Sequence, residues 1–224
     1  LIKGRGKPLM IVSDNGTELT SHAILRWQPD PRHSVQWVID ALRQPETQDP
    51  LGLTPEQWRQ APRSTDAAAL TFNTRKRIDQ RQTGLRWQSD YAPGREFSLS
   101  LWHARRDIEQ VLAIPMAVQN APSHAGGVVA PDRQSSGVSI SHRQDLAHGA
   151  WAFGADLGRL REARRGYENF IGPQLGVRGR LRRDEVNRLD TRALWLSGET
   201  RFADRYSALA AVRHERFRFQ SRDH

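Results

Sequence analysis

The sequence has no cysteine among its 224 residues, so neither a disulfide framework nor a thiolate metal site is possible. Hydrophobic residues are also scarce, at 37% of the chain. No run approaches the roughly 18 consecutive apolar residues that mark a transmembrane helix. The chain is long enough for one or two domains with a core, and its low hydrophobic content suits a sheet with one polar and one apolar face.

Two N-terminal signals are missing as well. The sequence begins Leu1-Ile2-Lys3 without an initiator methionine. It also lacks a basic segment followed by an apolar one, which is the pattern of a secretory signal peptide. From this pattern we expect a cytoplasmic product if the chain is made as it stands, and a translation start upstream of Leu1 stays open.

Motifs of several common enzyme classes are absent too. There is no Gly-x-Ser-x-Gly elbow and no Walker-type phosphate loop, and none of the eight histidines has the His-x-x-x-His spacing of a zinc site. Acyl transfer and nucleotide hydrolysis therefore have no support. We expect no enzymatic activity and no cofactor, apart from the magnesium alternative given below.

What the sequence does contain is an excess of positive charge. It has 34 Lys and Arg against 25 Asp and Glu, a formal net charge of +9. Such an excess favours an anionic partner, namely nucleic acid, lipid phosphates or an acidic ligand.

From residue 74 onward, apolar and polar residues alternate with the period of two that is typical of half-buried strands. Phe97, Leu99 and Leu101, for example, alternate with serines. Tight turns such as Ala92-Pro93-Gly94-Arg95 separate these segments in pairs. The pattern predicts three hairpins with about six strands, at residues 84–91 and 97–101, 138–141 and 151–157, and 194–202 and 206–219.

The connections between these hairpins are long, at residues 41–73, 109–135 and 159–189. Most connections in compact domains have about 4–6 residues, whereas transmembrane barrels alternate tight turns with long loops. Each strand taken singly fits a soluble antiparallel sheet better than a barrel, and it is the alternation of loop lengths over three hairpins that favours the barrel. Aromatic residues near the strand ends fit an interfacial girdle: Trp87, Tyr91, Phe97, Trp151 and Tyr206.

Residues 46–224 resemble the barrel of a TonB-dependent outer-membrane receptor of the ferric-siderophore type. The matching segments are Asp49-Pro50-Leu51-Gly52-Leu53-Thr54, Phe72-Asn73-Thr74-Arg75-Lys76, Leu85-Arg86-Trp87-Gln88, Asp107-Ile108-Glu109-Gln110-Val111-Leu112, Gln119-Asn120-Ala121-Pro122-Ser123-His124-Ala125-Gly126-Gly127, Arg164-Arg165-Gly166-Tyr167-Glu168-Asn169 and Arg201-Phe202-Ala203-Asp204-Arg205-Tyr206-Ser207.

This resemblance implies an outer-membrane protein that takes up a ferric chelate, with TonB and outer-membrane lipid as further partners. The family also has a signal peptide, a globular plug and a barrel of 22 strands. In this sequence we expect no signal peptide and no plug, and only about six strands. A six-strand arc has two open edges, whose unpaired backbone groups lipid cannot satisfy. We therefore expect a truncated receptor that is inactive alone.

The N-terminal stretch resembles a different family. An apolar strand at residues 8–13 leads to Ser13-Asp14-Asn15-Gly16-Thr17-Glu18-Leu19-Thr20-Ser21, and a helix is expected from Ser21 to a point before Pro29. These features resemble insertion-sequence transposases with an integrase-type, ribonuclease-H-like core. The resemblance implies that Asp14 is a catalytic Mg²⁺ ligand and that DNA is the partner.

The other two carboxylates of that site have no counterpart. The first would precede Leu1, and the position expected for the third is near Asp49, which precedes Pro50 in a loop. The predicted organisation is therefore a transposase remnant (residues 1–30), a junction (31–45) and a receptor barrel segment (46–224). The fold class is mainly β: a partial antiparallel transmembrane-type barrel with long loops, preceded by a short ribonuclease-H-like strand-helix fragment. A DNA-integrating transposase fragment and a soluble basic binding protein remain as alternatives.

A basic cluster is expected in an external loop of the barrel. It contains Arg159, Arg161, Arg164, Arg165, Arg178, Arg180, Arg182 and Arg183. Guanidinium groups there would contact lipopolysaccharide phosphates or an anionic iron chelate, although nucleic acid contact and a merely solvated loop fit the pattern too. Candidate ligand or lipopolysaccharide contacts are His124, Arg164, Arg165, Arg180 and Arg182.

Overall fold

The computed structural model describes residues 19–202 and 205–224. In chain order, the elements are β1 (Leu19–Asp30), β2 (His33–Gln48), α1 (Pro55–Gln60), α2 (Ala67–Phe72), β3 (Arg75–Ala92), β4 (Arg95–Val111), α3 (Met116–Gln119), β5 (Val128–Leu146), β6 (Gly149–Tyr167), β7 (Phe170–Ile171), β8 (Gln174–Leu175), β9 (Leu181–Phe202) and β10 (Tyr206–Asp223). Strands therefore dominate the fold.

Eight strands form one antiparallel sheet in the order β1-β2-β3-β4-β5-β6-β9-β10, and β7 pairs with β8 in a separate small hairpin. Each long strand thus lies next to the long strand that follows it in the chain. β1 and β10 are the two edges of the sheet. The expected antiparallel barrel-type fold is confirmed, with eight long strands among residues 19–202 and 205–224 rather than six.

Turn lengths alternate as expected. The turns after β1, β3, β5 and β9 are short, whereas the connections after β2, β4 and β6 span residues 49–74, 112–127 and 168–180. Because successive strands are antiparallel, all four short turns lie at one end of the sheet and the three long connections lie at the other. We call these the turn end and the loop end.

The prediction of a helix from Ser21 is wrong, because these residues lie in strand β1. Leu25 pairs with Trp37 of β2, and Ile24 pairs with Val38. Cross-strand pairs of this kind stabilise a strand. A short isolated helix, by contrast, is only marginally stable in water. The Oδ1 atom of Asp30 closes the hairpin by accepting hydrogen bonds from the backbone N–H groups of Arg32 (2.8 Å) and His33 (3.0 Å).

The structure does not test the remaining predictions for the N-terminal residues. The strand at residues 8–13 and the proposed magnesium ligand Asp14 lie outside the described residues. The separate origins proposed for residues 1–30, 31–45 and 46–224 stay a prediction.

The prediction that the basic cluster lies in a loop is also wrong for most of its residues. Arg159, Arg161, Arg164 and Arg165 lie within β6, and Arg182 and Arg183 lie within β9; Arg178 and Arg180 alone of the eight lie in the connection. The reason is that β6 remains paired with β5 as far as Tyr167. Strand pairing thus continues well beyond the apolar segment of β6.

The helices are short and lie in the connections at the loop end. Thr54 caps α1 as its sequence predicts: its Oγ1 accepts from the Gln57 N–H (3.2 Å), and the Gln57 Oε1 accepts from the Thr54 N–H (2.7 Å). Asp66 caps α2 through the N–H of Ala68 (2.8 Å). Within the described part of the chain, no helix is long and apolar enough to cross a membrane.

The buried apolar cluster is small and lies at the loop end. Val111, Val128 and Tyr167 form it, and Ala130 packs against it. These residues lie where β4, β5 and β6 meet their long connections. The cluster holds the loop end together and leaves most of the sheet surface open.

Candidate functional site

The eight-stranded sheet has two chemically different faces. Directly paired residues of neighbouring strands project to the same face. One row of paired residues, taken from β1 to β10, is Trp27, Val35, Trp87, Leu99, Ile140, Ala155, Leu194 and His214. The next row towards the loop end is Leu25, Trp37, Leu85, Leu101, Val138, Leu157, Arg192 and Arg216. We call the face with these two rows the apolar face.

The opposite face, which we call the polar face, begins one residue away on each strand. Its central row is Arg26, Gln36, Arg86, Ser100, Ser139, Asp156, Ala193 and Glu215. Hydrogen bonds link these side chains across strands. The Oγ of Ser139 donates to Asp156 (2.5 Å), and the Nη1 of Arg213 donates to the same carboxylate (2.7 Å).

The apolar face is not covered by any other described part of the chain. Leu194 is 65% exposed, Leu157 is 51% exposed and Phe153 is 47% exposed. An uncovered apolar surface of this extent is rare on soluble monomers and marks contact with a membrane or another protein. Sheets with an apolar face towards lipid and a polar face towards water are the pattern of transmembrane barrels.

Aromatic side chains cluster at the turn end of the apolar face. The rings of Trp151 and Phe153 stack with centroids 5.5 Å apart, and His142 contacts both rings. The hydroxyl of Tyr91 lies 3.4 Å from the Nδ1 of His142. Amphipathic rings at one level of a sheet are typical of a membrane–water interface.

At the loop end, two buried amide side chains tie the connections together. Gln119 and Asn169 are fully buried. The Nε2 of Gln119 donates to the Oδ1 of Asn169 (2.6 Å), and the Nδ2 of Asn169 donates to the carbonyls of Leu112 (2.7 Å) and Ile114 (3.1 Å). Buried amides need such partners, so this pair fixes residues 112–127 against residues 168–180. We call this part of the molecule the loop base.

An acidic residue of the loop base binds two of the predicted arginines. The Oε1 of Glu168 accepts from Arg180 (2.9 Å) and from Arg182 (3.0 Å). Burial of Glu168 tends to raise the pKa of its carboxyl group, but the hydrogen bonds and charges of the two arginines outweigh this and hold the pKa below its ordinary value. Glu168 is therefore a buried anion neutralised by Arg182, which is itself largely buried, and by the more exposed Arg180.

Three of the candidate residues meet at the loop base. The carbonyl of Ala121 accepts from the Nη2 of Arg182 (2.7 Å) and from the backbone N–H of His124 (3.0 Å). The Nδ1 of His124 also accepts from the N–H of Gly126 (3.0 Å). His124 and Arg182 thus stabilise the conformation of this loop. Arg180 differs from Arg182 in that its guanidinium group is largely exposed.

Arg164 and Arg165 are not brought together, because neighbours on a strand point to opposite faces. Arg165 lies on the apolar-face side of β6, 3.5 Å from Asp184. Arg164 pairs with Pro131 and Glu185 on the polar-face side. Among residues 19–202 and 205–224, no group of three or more His, Asp or Glu side chains is placed to hold a metal ion.

Comparison with solved structures identifies a similar architecture. The chain is similar to the ferric citrate transporter FecA in its unliganded form, with a TM-score of 0.70 and 12% sequence identity. The match covers 93% of this chain and 31% of the FecA chain. The fold is that of a barrel segment. No protein-family model matches the sequence.

The FecA-like fold covers nearly all of the chain described, whereas the chain spans about a third of the length of FecA. At this identity the similarity concerns the fold. It agrees with the two-faced sheet and with the separation of short turns from long connections.

Sequence reasoning missed the roles of Gln119, Glu168 and Asn169. They stand inside segments that resemble the receptor family, but no local pattern marks them as partners across the fold. The sequence pattern also predicts a loop for the arginines on the apolar-face side of β6. Continuing the alternation of Trp151 to Leu157 for a few more residues would have placed them on the strand.

Proposed function

We propose that this chain forms part of the barrel wall of a TonB-dependent outer-membrane receptor that takes up a ferric chelate. The observation that carries the proposal is the uncovered apolar face, backed by a polar face on the same eight strands. In a bilayer the apolar face would contact hydrocarbon and the polar face would line an aqueous lumen. The similarity to the ferric citrate transporter FecA supports this assignment of the fold.

The arrangement also satisfies the strongest constraint on a spanning sheet. Every inner strand pairs on both sides, so its backbone groups need no water. β1 and β10 each keep one unpaired side within the described sheet, and closed barrels have no such edges. We therefore propose that the sheet works together with further strands that pair with β1 and β10, and that the eight strands do not transport by themselves.

The loop end is the side on which an anionic chelate would first meet the protein, because long connections of outer-membrane barrels face outward. Arg180 is 72% exposed there. Arg164 is exposed on the polar-face side of β6. We propose these two guanidinium groups as chelate contacts, with His124 and Arg182 as positioning residues and Arg165 directed towards lipopolysaccharide.

The membrane placement is tested with single cysteines, since the chain has none of its own. Ile140→Cys places a label on the apolar face, and Ser141→Cys, the next residue, places one on the polar face. After reconstitution into lipid vesicles, nitroxide-labelled lipid should quench a fluorophore at residue 140, and aqueous iodide should quench one at residue 141. Equal quenching by iodide at both positions would contradict the proposal.

The uptake part is tested separately in cells that produce the protein from its own gene. Radioactive iron is supplied as ferric citrate and as other ferric chelates, with TonB present or absent. We expect uptake of at least one chelate to require both the protein and TonB. Uptake that is the same without the protein, for every chelate, would overturn this part and leave the barrel assignment standing.

The two alternatives have less support. The transposase alternative depends on Asp14, which lies outside the described residues, and on a helix where the structure has β1. A soluble basic binding protein would have to cover its apolar face, and no described element does so. No specific observation favours either alternative.

A further inference from the structure

Two tryptophans project to the polar face near its centre and lie over glycines of the neighbouring strands. Trp102 of β4 pairs with Gly137 of β5, and Trp195 of β9 pairs with Gly154 of β6. A Cβ atom on Gly137 would lie 2.6 Å from the Nε1 of Trp102, and one on Gly154 would lie 2.5 Å from the Cζ2 of Trp195. The two indoles therefore lean towards β5 and β6 from opposite sides.

A polar pair lies between the two indoles. Ser139 and Asp156 are directly opposite each other on β5 and β6. Ser139 is the next residue of the polar face after Gly137, and Asp156 is the next after Gly154. Each such step is about 6.6 Å along a strand, so the rows of the two indoles are about 13 Å apart with the polar pair halfway between them. We define the two-tryptophan site by four side chains, those of Trp102, Ser139, Asp156 and Trp195.

The charges at this site are matched within the protein. The Nη1 of Arg213 donates to Asp156 (2.7 Å), and the Nε of Arg213 lies 3.2 Å from the carboxylate of Glu215. One guanidinium group thus faces two carboxylates, and the excess charge is negative. Arg86, of the same row, is on β3, three strands from Asp156 or about 14 Å away. The site therefore does not attract a phosphate or another anion.

Neutral hydrogen-bonding groups surround Trp102. Ser100 is the residue before it on the same face of β4, and Ser135 and Ser139 flank Gly137 on β5. Each hydroxyl can donate and accept a hydrogen bond. The serines are half-buried, and Trp102 is 44% exposed. This part of the polar face thus offers an aromatic surface next to several uncharged hydroxyl groups.

We propose that the two-tryptophan site binds a neutral oligosaccharide. A pyranose ring has an apolar face of C–H groups and a rim of hydroxyl groups, so the face contacts an indole while the rim bonds to hydroxyls and a carboxylate. Binding sites for small molecules combine aromatic surfaces with a few placed polar groups in this way. Two aromatic surfaces on either side of a polar pair suit a chain of sugar units better than a single unit.

This inference goes beyond the uptake of a ferric chelate proposed above. The chelate contacts proposed there, Arg164 and Arg180, lie towards the loop end, whereas the two-tryptophan site lies in the middle of the polar face. The two proposals share only the requirement that the polar face is open to water. Failure of the sugar site would leave the membrane placement and the ferric chelate as they stand.

The test uses the full chain, purified in a detergent without a sugar headgroup, because such a headgroup would compete. Binding of maltohexaose, cellohexaose and xylohexaose is measured by titration calorimetry. Trp102→Ala removes one indole of the site, and Trp102→Phe keeps an aromatic ring there. The control is Trp37→Ala, which removes a tryptophan of the apolar face that is also 44% exposed. Circular dichroism checks that each variant keeps its strands.

A milder variant tests the polar pair. Ser139→Ala removes one hydroxyl next to Trp102 and leaves Asp156 paired with Arg213. It should weaken sugar binding about fivefold, the effect of one lost hydrogen bond. This variant decides the question if Trp102→Ala does not fold.

We expect at least one of the three hexasaccharides to bind the unaltered chain. Trp102→Ala should weaken that binding by at least about tenfold, because tryptophans in the centre of a contact dominate binding energies. Trp102→Phe and Trp37→Ala should stay within about threefold of the unaltered chain. Ferric citrate, added as a competitor, should not displace the sugar, since it is an anion.

Three results would overturn the inference. If none of the hexasaccharides binds, the polar face has no sugar site. If Trp102→Ala and Ser139→Ala bind as tightly as Trp37→Ala, the sugar binds elsewhere on the protein. If ferric citrate displaces the sugar, the site belongs to the anionic chelate, and the uptake proposed above gains a contact that this inference assigns to a sugar.

Discussion

The Nε2 of Gln119 donates a hydrogen bond of 2.6 Å to the Oδ1 of Asn169, and the Oε1 of Gln119 accepts one of 3.3 Å from the backbone N–H of Asn169. This reciprocal pair joins two connections that are 50 residues apart in the chain. Asn169 also donates to two backbone carbonyls of the connection at residues 112–127. Asn169 is therefore the side chain that joins the two connections most directly.

Replacing Asn169 by alanine should loosen the loop base. The change removes the amide that donates to the carbonyl of Leu112, whereas Gln119 and the carbonyl of Ile114 keep the 2.8 Å hydrogen bond between them. An unsatisfied buried group costs about 1–3 kcal/mol. We expect the free energy of unfolding to fall by at least that amount and amide exchange to speed up in residues 112–127 and 168–180. Asn120→Ala, at an exposed neighbour of Gln119, is the matched control, and equal effects of the two changes would contradict this role.

Acid should destabilise the loop base through Glu168. The pKa of this carboxyl is lower in the folded protein than in the unfolded chain, so its stabilising effect is fully present above the ordinary glutamate pKa of about 4.3 and is lost as the pH falls through the lower, folded-state value. Glu168→Gln should remove this part of the pH dependence. Unfolding free energies of both proteins across this pH range measure the effect.

The control for that experiment is Glu56→Gln, which removes a carboxylate that pairs with Arg59 on the surface of α1. It should leave the acid sensitivity of the protein in place. Persistence of the full acid loss in Glu168→Gln would show that other groups are responsible.

Gly126 should not tolerate a side chain. Its φ angle is +90°, and a Cβ atom there would lie 2.0 Å from the carbonyl oxygen of Tyr167. Gly126→Ala combines a strained backbone with a steric clash and should cost at least about 2 kcal/mol. Gly52→Ala, where nothing lies within 4 Å of the new Cβ, should change the unfolding free energy little. A stable Gly126→Ala protein would mean that the loop at Gly126 does not approach the end of β6 as closely as described.

Charge should be tolerated on one face of the sheet and not on the other. Leu99 belongs to the apolar face and its neighbour Ser100 to the polar face. Leu99→Arg should weaken membrane insertion by about 2–4 kcal/mol, the cost of arginine at the middle of a bilayer, whereas Ser100→Arg should have a much smaller effect. The measurement is the unfolding free energy in lipid vesicles, and a reversed or equal order would count against the lipid-facing assignment.

Much of the sheet could be predicted from residue alternation. Trp151, Phe153 and Leu157 repeat at every second position, and a strand is the structure that places such residues on one face. β1 was missed because Ala23-Ile24-Leu25 breaks the alternation and is equally compatible with a helix. The pairing of Leu25 with Trp37 of β2 favours the strand over the helix. The sequence near Leu25 does not reveal this pairing.

The loop base could not be predicted for a similar reason. Asn169 and Gln119 carry no local pattern, and their roles follow from contacts between connections that are distant in sequence. Arg180 and Arg182 were predicted as contacts for an external anion. That role stays a prediction; in the structure both bind Glu168, and Arg180 is the more exposed of the two.

The most direct test of the two-faced sheet is a scan of single nitroxide-labelled cysteines along β6 (Gly149–Tyr167), with the chain reconstituted in lipid vesicles. Accessibility to oxygen, which concentrates in hydrocarbon, should alternate with a period of two and peak at residues 151, 153, 155 and 157. From residue 159 onward, the same face should become accessible to a water-soluble nickel complex. A scan without this alternation, or one with high nickel accessibility at residues 153 and 155, would contradict a membrane-spanning sheet.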